Sequence, residues 1–167
     1  MGESSKITLP HNSEAGYGAV AFDGSVGLND DLIERLSLTR EQIKEGIENT
    51  FTKVERRLRK FRGGRPLPDL SGRDVILVDD GLASGFTMLV AVEAVRRGKA
   101  SRVFVAVPTG HEEAVDRMAS EVDAIYCPNI RGGWSFAVAD AYDSWHDVDE
   151  DAAVRIARRF DIGGGEP

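Results

Sequence analysis

The chain has 167 residues, 41% of them hydrophobic, and a net charge of −7, which indicates one globular domain and excludes a wholly disordered chain. The negative charge makes general nucleic-acid binding an unfavoured function, and no apolar run approaches the ~20 residues of a membrane-spanning helix. The N-terminal residues lack the apolar core of a secretory leader. Because Cys127 is the one cysteine, no internal disulfide can form, and we expect a cytoplasmic protein without membrane contact.

The first third of the chain is predicted to contain a β-hairpin. Asp23-Gly24 lies between two short apolar segments, residues 19–22 and 25–28, which is the pattern of a tight turn between antiparallel strands.

A long amphipathic helix is predicted next, from about Arg40 to Phe61. Thr39 and Gln42 have the spacing of a capping box, and apolar residues then recur at intervals of three and four. Two glycines and a proline follow, which indicates that the helix ends there. We assign residues 12–66 to the hairpin and this helix, as an insertion before the core.

The end of that helix is strongly basic. Seven of the thirteen residues from Lys53 to Arg65 are basic and one is acidic. The favoured interpretation is a solvated helix end, since cations stabilise a helix C-terminus. A mobile arm that attracts an anionic ligand is the functional alternative, and RNA binding is a third.

Strands and helices alternate from residue 67 to residue 130. We expect strands at Val75–Val78, Val103–Val107 and Ala124–Cys127, with helices at Thr87–Arg97 and Glu112–Glu121 between them. This order predicts a parallel sheet with right-handed crossovers. The short continuous apolar runs are typical of strands that are covered on both faces. A further helix is expected at 149–160.

The stretch VILVDDGLASGFT, residues 75–87, carries the chemistry. A strand ends in two carboxylates, Asp79 and Asp80, and a loop of small residues leads into a helix N-terminus, where backbone N–H groups can bind phosphate. The carboxylates suit sugar hydroxyls or a hydrated Mg²⁺. The pattern therefore indicates a sugar-phosphate ligand. A triphosphate-binding P-loop is excluded, because no lysine precedes Thr87.

That stretch resembles the phosphoribosyl-pyrophosphate (PRPP) signature of type I phosphoribosyltransferases. With RGGRPLPDLSGRD before it and VFVAVPTG after it, the sequence is similar to a subfamily of stand-alone phosphoribosyltransferase-like proteins, from about Lys6 to Phe160. The resemblance implies an α/β fold, a Rossmann-like parallel sheet with an added β-hairpin. It implies one domain over residues 1–167, a PRPP-binding core at 67–130 and a frayed tail at 161–167.

The resemblance also implies site residues. Asp79 and Asp80 would be the catalytic pair, facing the ribose hydroxyls directly or through Mg²⁺ or its waters. The 5′-phosphate would be wrapped by the backbone of Ala83, Ser84, Gly85, Phe86 and Thr87. Ala83 stands where members acting on 6-oxopurines have an aspartate, which argues against that substrate group.

The implied activity is transfer of phosphoribosyl from PRPP to a nitrogenous acceptor, such as a base, with release of pyrophosphate. Mg²⁺ is the implied cofactor, a homodimer is common in the family, and the basic segment would attract the pyrophosphate. The family fold begins with a helix, a strand and a pyrophosphate-binding loop, whereas SKITLP already reads as the end of the next strand. A noncatalytic PRPP- or nucleotide-binding regulatory module is therefore the alternative.

Candidate acceptor contacts lie after the last strand of the core. Trp134, Phe136, Tyr142 and Trp145 gather there, and Trp134 is the leading candidate for contact with the acceptor. His111 follows a strand end and is the second candidate. Packing of the aromatic residues on the sheet edge is the favoured interpretation of the group.

Overall fold

The computed structural model describes residues 3–133, 136–146 and 148–161. Its N-terminal part is an antiparallel sheet in the order β1 (Ser5–Leu9), β2 (Asn12–Val20) and β3 (Val26–Leu28). The predicted hairpin is confirmed as β2 and β3, which pair antiparallel. The turn is wider than expected, because β2 ends at Val20 and the backbone N–H of Ala21 donates to the carbonyl of Ser25.

Two helices follow, α1 (Asp30–Arg35) and α2 (Arg40–Arg62). The predicted capping box is confirmed, since Thr39 and Gln42 exchange both of its hydrogen bonds, and Gly63 ends α2 in the left-handed region with a φ of 59°. Helix α2 packs on β1 and β2 around the buried side chains of Ile7, Tyr17 and Val54. The contact is close at Gly46, where an added Cβ would lie 2.0 Å from the hydroxyl oxygen of Tyr17.

The rest of the described chain is built on parallel strands, as predicted. Strands β4 (Asp74–Val78), β5 (Arg102–Ala106) and β7 (Ala124–Tyr126) form one sheet in that order, and β6 (Thr109–His111) pairs with β8 (Asn129–Arg131). The remaining elements are the helices α3 (Phe86–Arg97), α4 (Glu112–Ala119) and α5 (Glu150–Asp161) and a 3₁₀ helix, Val138–Ala141. None of the helices in the described ranges is long and apolar enough to cross a bilayer.

The expectation that the parallel strands are covered on both faces is wrong for β4. One face of the sheet packs on α3 and α4, with Val103 and Val105 fully buried in the main apolar cluster. On the opposite face Ile76 and Val78 of β4 are 64% and 72% exposed. Because successive side chains of a strand point to opposite faces, a continuous apolar run places apolar residues on both faces of the sheet. The run does not show whether other elements cover both faces or only one.

This difference between the faces predicts unequal costs for the same substitution. Val105→Ala should lower the free energy of unfolding by about 2 kcal/mol, because it removes buried methyl groups. Val78→Ala should change it by less than about 0.5 kcal/mol, because the side chain is exposed. Urea unfolding of both variants measures the difference, and a large loss in Val78→Ala would mean that the face is covered in solution.

The basic end of α2 is held by carboxylates. Arg56 binds Glu150 of α5 through two nitrogens at 2.7 and 2.6 Å, and Arg57 reaches Glu150 at 3.0 Å and Glu3 at 2.6 Å. Lys60 lies 3.3 Å from Glu150. The favoured interpretation of a merely solvated end was therefore incomplete, since these cations attach α5 to α2. The regular helix through Arg62 does not favour the interpretation as a mobile arm.

The ion pairs of Glu150 predict a specific acid sensitivity. Hydrogen bonds from Arg56, then Arg57, lower the pKa of Glu150 from 4.5 to about 2. Because the folded-state pKa is the lower one, this stabilisation is complete above about pH 4.5 and is lost as the pH falls toward 2. Between pH 7 and pH 3 the wild type should therefore lose more stability in urea than Glu150→Gln does. Glu45→Gln, an exposed change on α2, is the control and should follow the wild type. Parallel pH profiles for wild type and Glu150→Gln would contradict the prediction.

Candidate functional site

The loop between β4 and α3 is fixed by its neighbours. The backbone N–H of Leu82 donates to the carbonyl of Thr109 at 3.0 Å, and the N–H of His111 donates to the carbonyl of Leu82 at 2.8 Å. Arg117 of α4 donates to the carbonyl of Ser84 at 3.3 Å. These bonds hold the middle of the loop against β6, so that its second half leads directly into α3.

The N-terminus of α3 has no side-chain cap. Gly85 occupies the N-cap position with a φ of 72°, in the left-handed region that favours glycine, and it supplies no side-chain hydrogen bond. The hydroxyl of Ser84 accepts from the N–H of Phe86 only at a long 3.4 Å. The first turn of a helix leaves N–H groups without helical partners, so this end of α3 can donate to an anion.

A cavity of about 280 Å³ lies between this loop and the antiparallel sheet. The predicted carboxylate and phosphate-binding residues all line it, namely Asp79, Asp80, Ala83, Ser84, Gly85, Phe86 and Thr87. The structure therefore brings together in one space the residues that the signature implied. A larger cavity of about 840 Å³ also touches Asp79 and Thr87, but most of its other lining is apolar, including Leu77, Met88 and Val95.

The charged form of Asp79 is disfavoured in this setting. Although its side chain is partly exposed to the cavities, the surrounding protein desolvates it, which raises the pKa of Asp79 to about 6, and the charges of Asp80 and Glu3 add to the rise. The N–H of Asp80 donates to Asp79 at 3.0 Å and opposes the shift. Desolvation also raises the pKa of Asp80. A cation placed beside the pair would favour the ionised carboxylates.

The carboxylates of the site fit a Mg²⁺ ion that keeps water or substrate phosphates in its coordination shell. No group of three or more histidine, cysteine or acidic side chains with metal-binding geometry occurs in the described part of the chain. Asp79 and Asp80 would thus provide at most two carboxylates. Mg²⁺ commonly binds proteins through one or two carboxylates and completes its shell with water and substrate phosphates.

The segment around the 3₁₀ helix packs on the same loop. The hydroxyl of Tyr142 donates to the carbonyl of Asp80 at 2.6 Å, and the ring packs edge-on against Trp145 with centroids 5.1 Å apart. Gly81 is needed at this contact, because an added Cβ would lie 2.7 Å from the side chain of Val138. Tyr142 belonged to the predicted aromatic group, but no sequence signal links it to Asp80.

Both ring nitrogens of His111 make hydrogen bonds to the backbone next to the site. Its Nδ1 accepts from the N–H of Glu113 at 3.3 Å at the start of α4, and its Nε2 is 3.0 Å from the carbonyl of Gly133, so that Nε2 donates. The residue does not line the 280 Å³ cavity. Its contact with an acceptor stays a prediction. Trp134 lies outside the described residues.

Sequence reasoning missed the wall of the cavity that the antiparallel sheet supplies. Lys6 of β1 and Gly16 and Gly18 of β2 line the cavity opposite the loop. They precede the signature by about sixty residues or more, and nothing in their local pattern indicates a ligand site.

Comparison with known proteins finds a family whose model matches most of the chain. The phosphoribosyl transferase domain family matches residues 23–141. A Mycobacterium tuberculosis protein (strain ATCC 25618 / H37Rv), named "Putative phosphoribosyl transferase Rv0571c", is 31% identical over 92% of this chain and 34% of its own length. A homologue in strain CDC 1551 / Oshkosh gives the same values. The chain thus spans about a third of the length of these curated relatives.

Two more relatives cover different shares of the chain. A ribose-phosphate pyrophosphokinase of Pyrococcus furiosus is 38% identical over 36% of this chain and 23% of its own length. The crystal structure of TT1426 from Thermus thermophilus superposes with a TM-score of 0.69 and 26% identity, over 95% of this chain and 74% of that one. The match over residues 23–141 includes the loop, both carboxylates and the parallel strands. This chain is a member of the phosphoribosyl transferase domain family.

Proposed function

We propose that this chain binds PRPP in the 280 Å³ cavity and transfers its phosphoribosyl group to a nitrogenous acceptor, such as a base, with release of pyrophosphate. The observation that carries the proposal is the shared cavity, which brings an uncapped helix N-terminus and two neighbouring carboxylates together. The first suits a phosphate and the second suits the hydroxyls of a pentose or a hydrated cation. Family membership supports a PRPP-type substrate.

Each part of the ligand has a proposed position. The 5′-phosphate lies on the backbone of 83–87 and accepts from the N–H groups at the start of α3. The ribose hydroxyls lie toward Asp79 and Asp80, and Tyr142 holds the backbone of Asp80 in place through its hydrogen bond. This orientation leaves C1 of the ribose away from the loop.

The chemistry requires positioning more than proton transfer. Displacement at C1 passes through an oxocarbenium-like transition state, and holding the sugar in line with the nucleophile lowers the barrier. Fixed dipoles and charges then stabilise the developing charge. Mg²⁺, when bound at Asp79 and Asp80 or through water, would supply charge neutralisation of the departing pyrophosphate. The residues of this chain bind and orient the phosphoribosyl group. A homodimer and a cytoplasmic location remain expectations of the proposal.

Calorimetric titration with PRPP and Mg²⁺, together with a pyrophosphate-release assay over a panel of bases, tests the proposal. We expect Mg²⁺-dependent binding and release with adenine, a pyrimidine or another nitrogen nucleophile, and none with hypoxanthine or guanine. Binding without release for any acceptor would support the noncatalytic regulatory module instead. The absence of PRPP binding would overturn both functions.

A further inference from the structure

We infer that Lys6 is a further phosphate-binding residue of this site, and that its ammonium group pairs with the phosphate held on the loop 83–87. The inference rests on the proposed function and extends it to a second structural layer, the antiparallel sheet. Nothing in the signature loop identifies this residue, which lies on a different sheet and about seventy-five residues earlier in the chain.

The register of β1 directs Lys6 toward the cavity. Ser5 and Ile7 on either side of it are buried, Ile7 in the apolar cluster that this sheet forms with α2, while Lys6 is exposed and pairs with Ala19 of β2. Because neighbouring side chains of a strand alternate between faces, the Lys6 side chain leaves from the face opposite to Ile7. That face forms the wall of the 280 Å³ cavity across from the loop.

Gly16 on β2 leaves room for the lysine. An added Cβ at Gly16 would lie 3.2 Å from Cβ of Lys6 and 3.5 Å from its Cδ, so the aliphatic part of Lys6 passes over a position that has no side chain. Beside this glycine, Lys6 is the one long side chain among the described residues of the sheet that line the cavity.

Lys6 also supplies the charge that the loop lacks. Among the described residues lining the cavity it is the only cation, whereas Asp79 and Asp80 are acids and the loop offers neutral N–H groups. A phosphoribosyl ligand adds several negative charges beside those acids. Charge-assisted hydrogen bonds to phosphate are about twice as strong as neutral ones, so a nearby ammonium adds substantially to binding.

Three variants of the full chain test the inference by calorimetry with ribose 5-phosphate and, separately, PRPP, each with Mg²⁺. Lys6→Met should weaken ribose 5-phosphate binding by about 10- to 100-fold, the range for a lost hydrogen bond to a charged group. Lys6→Arg, which keeps the charge, should recover most of the affinity. Lys44→Met is the matched control, since Lys44 is an exposed lysine that pairs with Glu48 on the surface of α2. It should bind as the wild type does.

Two outcomes would overturn the inference. One is equal ribose 5-phosphate affinity for Lys6→Met, Lys44→Met and the wild type. The other is weaker PRPP binding with unchanged ribose 5-phosphate binding, which would assign Lys6 to the pyrophosphate. Failure of the wild type to bind either ligand would instead reject the proposed function.

Thermal unfolding of Lys6→Met, expected within about 2 °C of the wild type for an exposed side chain, excludes misfolding. Lys6→Gln serves as a second neutral variant if the midpoint falls further.

Discussion

Asp79→Asn and Asp80→Asn should each lower phosphoribosyl transfer at least about 100-fold while the protein stays folded. Both carboxylates line the cavity beside the uncapped end of α3, where they would hold the ribose hydroxyls or a hydrated Mg²⁺. An amide keeps the shape of the carboxylate but removes its charge. The change therefore removes the attraction for a cation and weakens the hydrogen bonds that ribose hydroxyls donate, and a pyrophosphate-release assay measures the loss.

The loss of activity in Asp79→Asn should not be accompanied by a loss of stability. The raised pKa of Asp79 shows that its charge is unfavourable in the folded protein, so Asp79→Asn should unfold at the same or a higher urea concentration than the wild type near pH 7. Asp74→Asn is the matched control, because Asp74 begins the same strand and pairs with Arg102 away from the cavity. It should keep full turnover. Nearly normal turnover in both Asp79→Asn and Asp80→Asn would refute the assigned roles.

Gly85→Ala should weaken ribose 5-phosphate binding by roughly 10- to 100-fold, the cost of losing one hydrogen bond to a charged group. Gly85 has a φ of 72°, and an added Cβ would also touch Ala114 at 3.4 Å. In Gly85→Ala, relief of the backbone strain at this positive φ would rotate the peptide groups on both sides of residue 85. The N–H groups at the start of α3 would then no longer converge on one phosphate.

Gly63→Ala separates this effect from backbone strain. Gly63 has a similar φ of 59° at the end of α2, and no atom of the described residues lies within 4 Å of an added Cβ. Both variants should lose about 1 kcal/mol of stability, because alanine tolerates a positive φ poorly. Only Gly85→Ala should lose affinity in the calorimetric titration. Equal affinities for the two variants would mean that the loop backbone does not hold the phosphate.

The sequence predicted those features of the fold whose signals are local. Thr39 and Gln42 identified the start of α2 because a capping box is formed within four residues. The parallel strands were identified because short apolar runs alternate with helical periods along the sequence, which is also a local signal. Strands β6 and β8 were missed, since their sequences, TGH and NIR, contain no apolar run that would indicate a strand.

Features that depend on distant parts of the chain were not predictable in this way. The exposure of Val78 depends on which faces the helices cover, and an apolar run reads the same in either case. The hydrogen bond from Tyr142 to Asp80 joins positions 62 residues apart. Lys6 enters the cavity through the packing of one sheet against the loop of another. The signature identified one wall of the candidate site, and the tertiary structure adds the opposite wall.

The central claim is that the backbone of the loop 83–87 holds a phosphate while Asp79 and Asp80 face the attached sugar. Titration of ¹⁵N-labelled protein with ribose 5-phosphate and Mg²⁺, followed by amide resonances, tests it most directly. We expect the largest shifts at the amides of Gly85, Phe86 and Thr87, with smaller ones at Asp79 and Asp80 and none at Gly63. Saturable binding that leaves the loop amides unchanged and shifts resonances elsewhere would contradict the account.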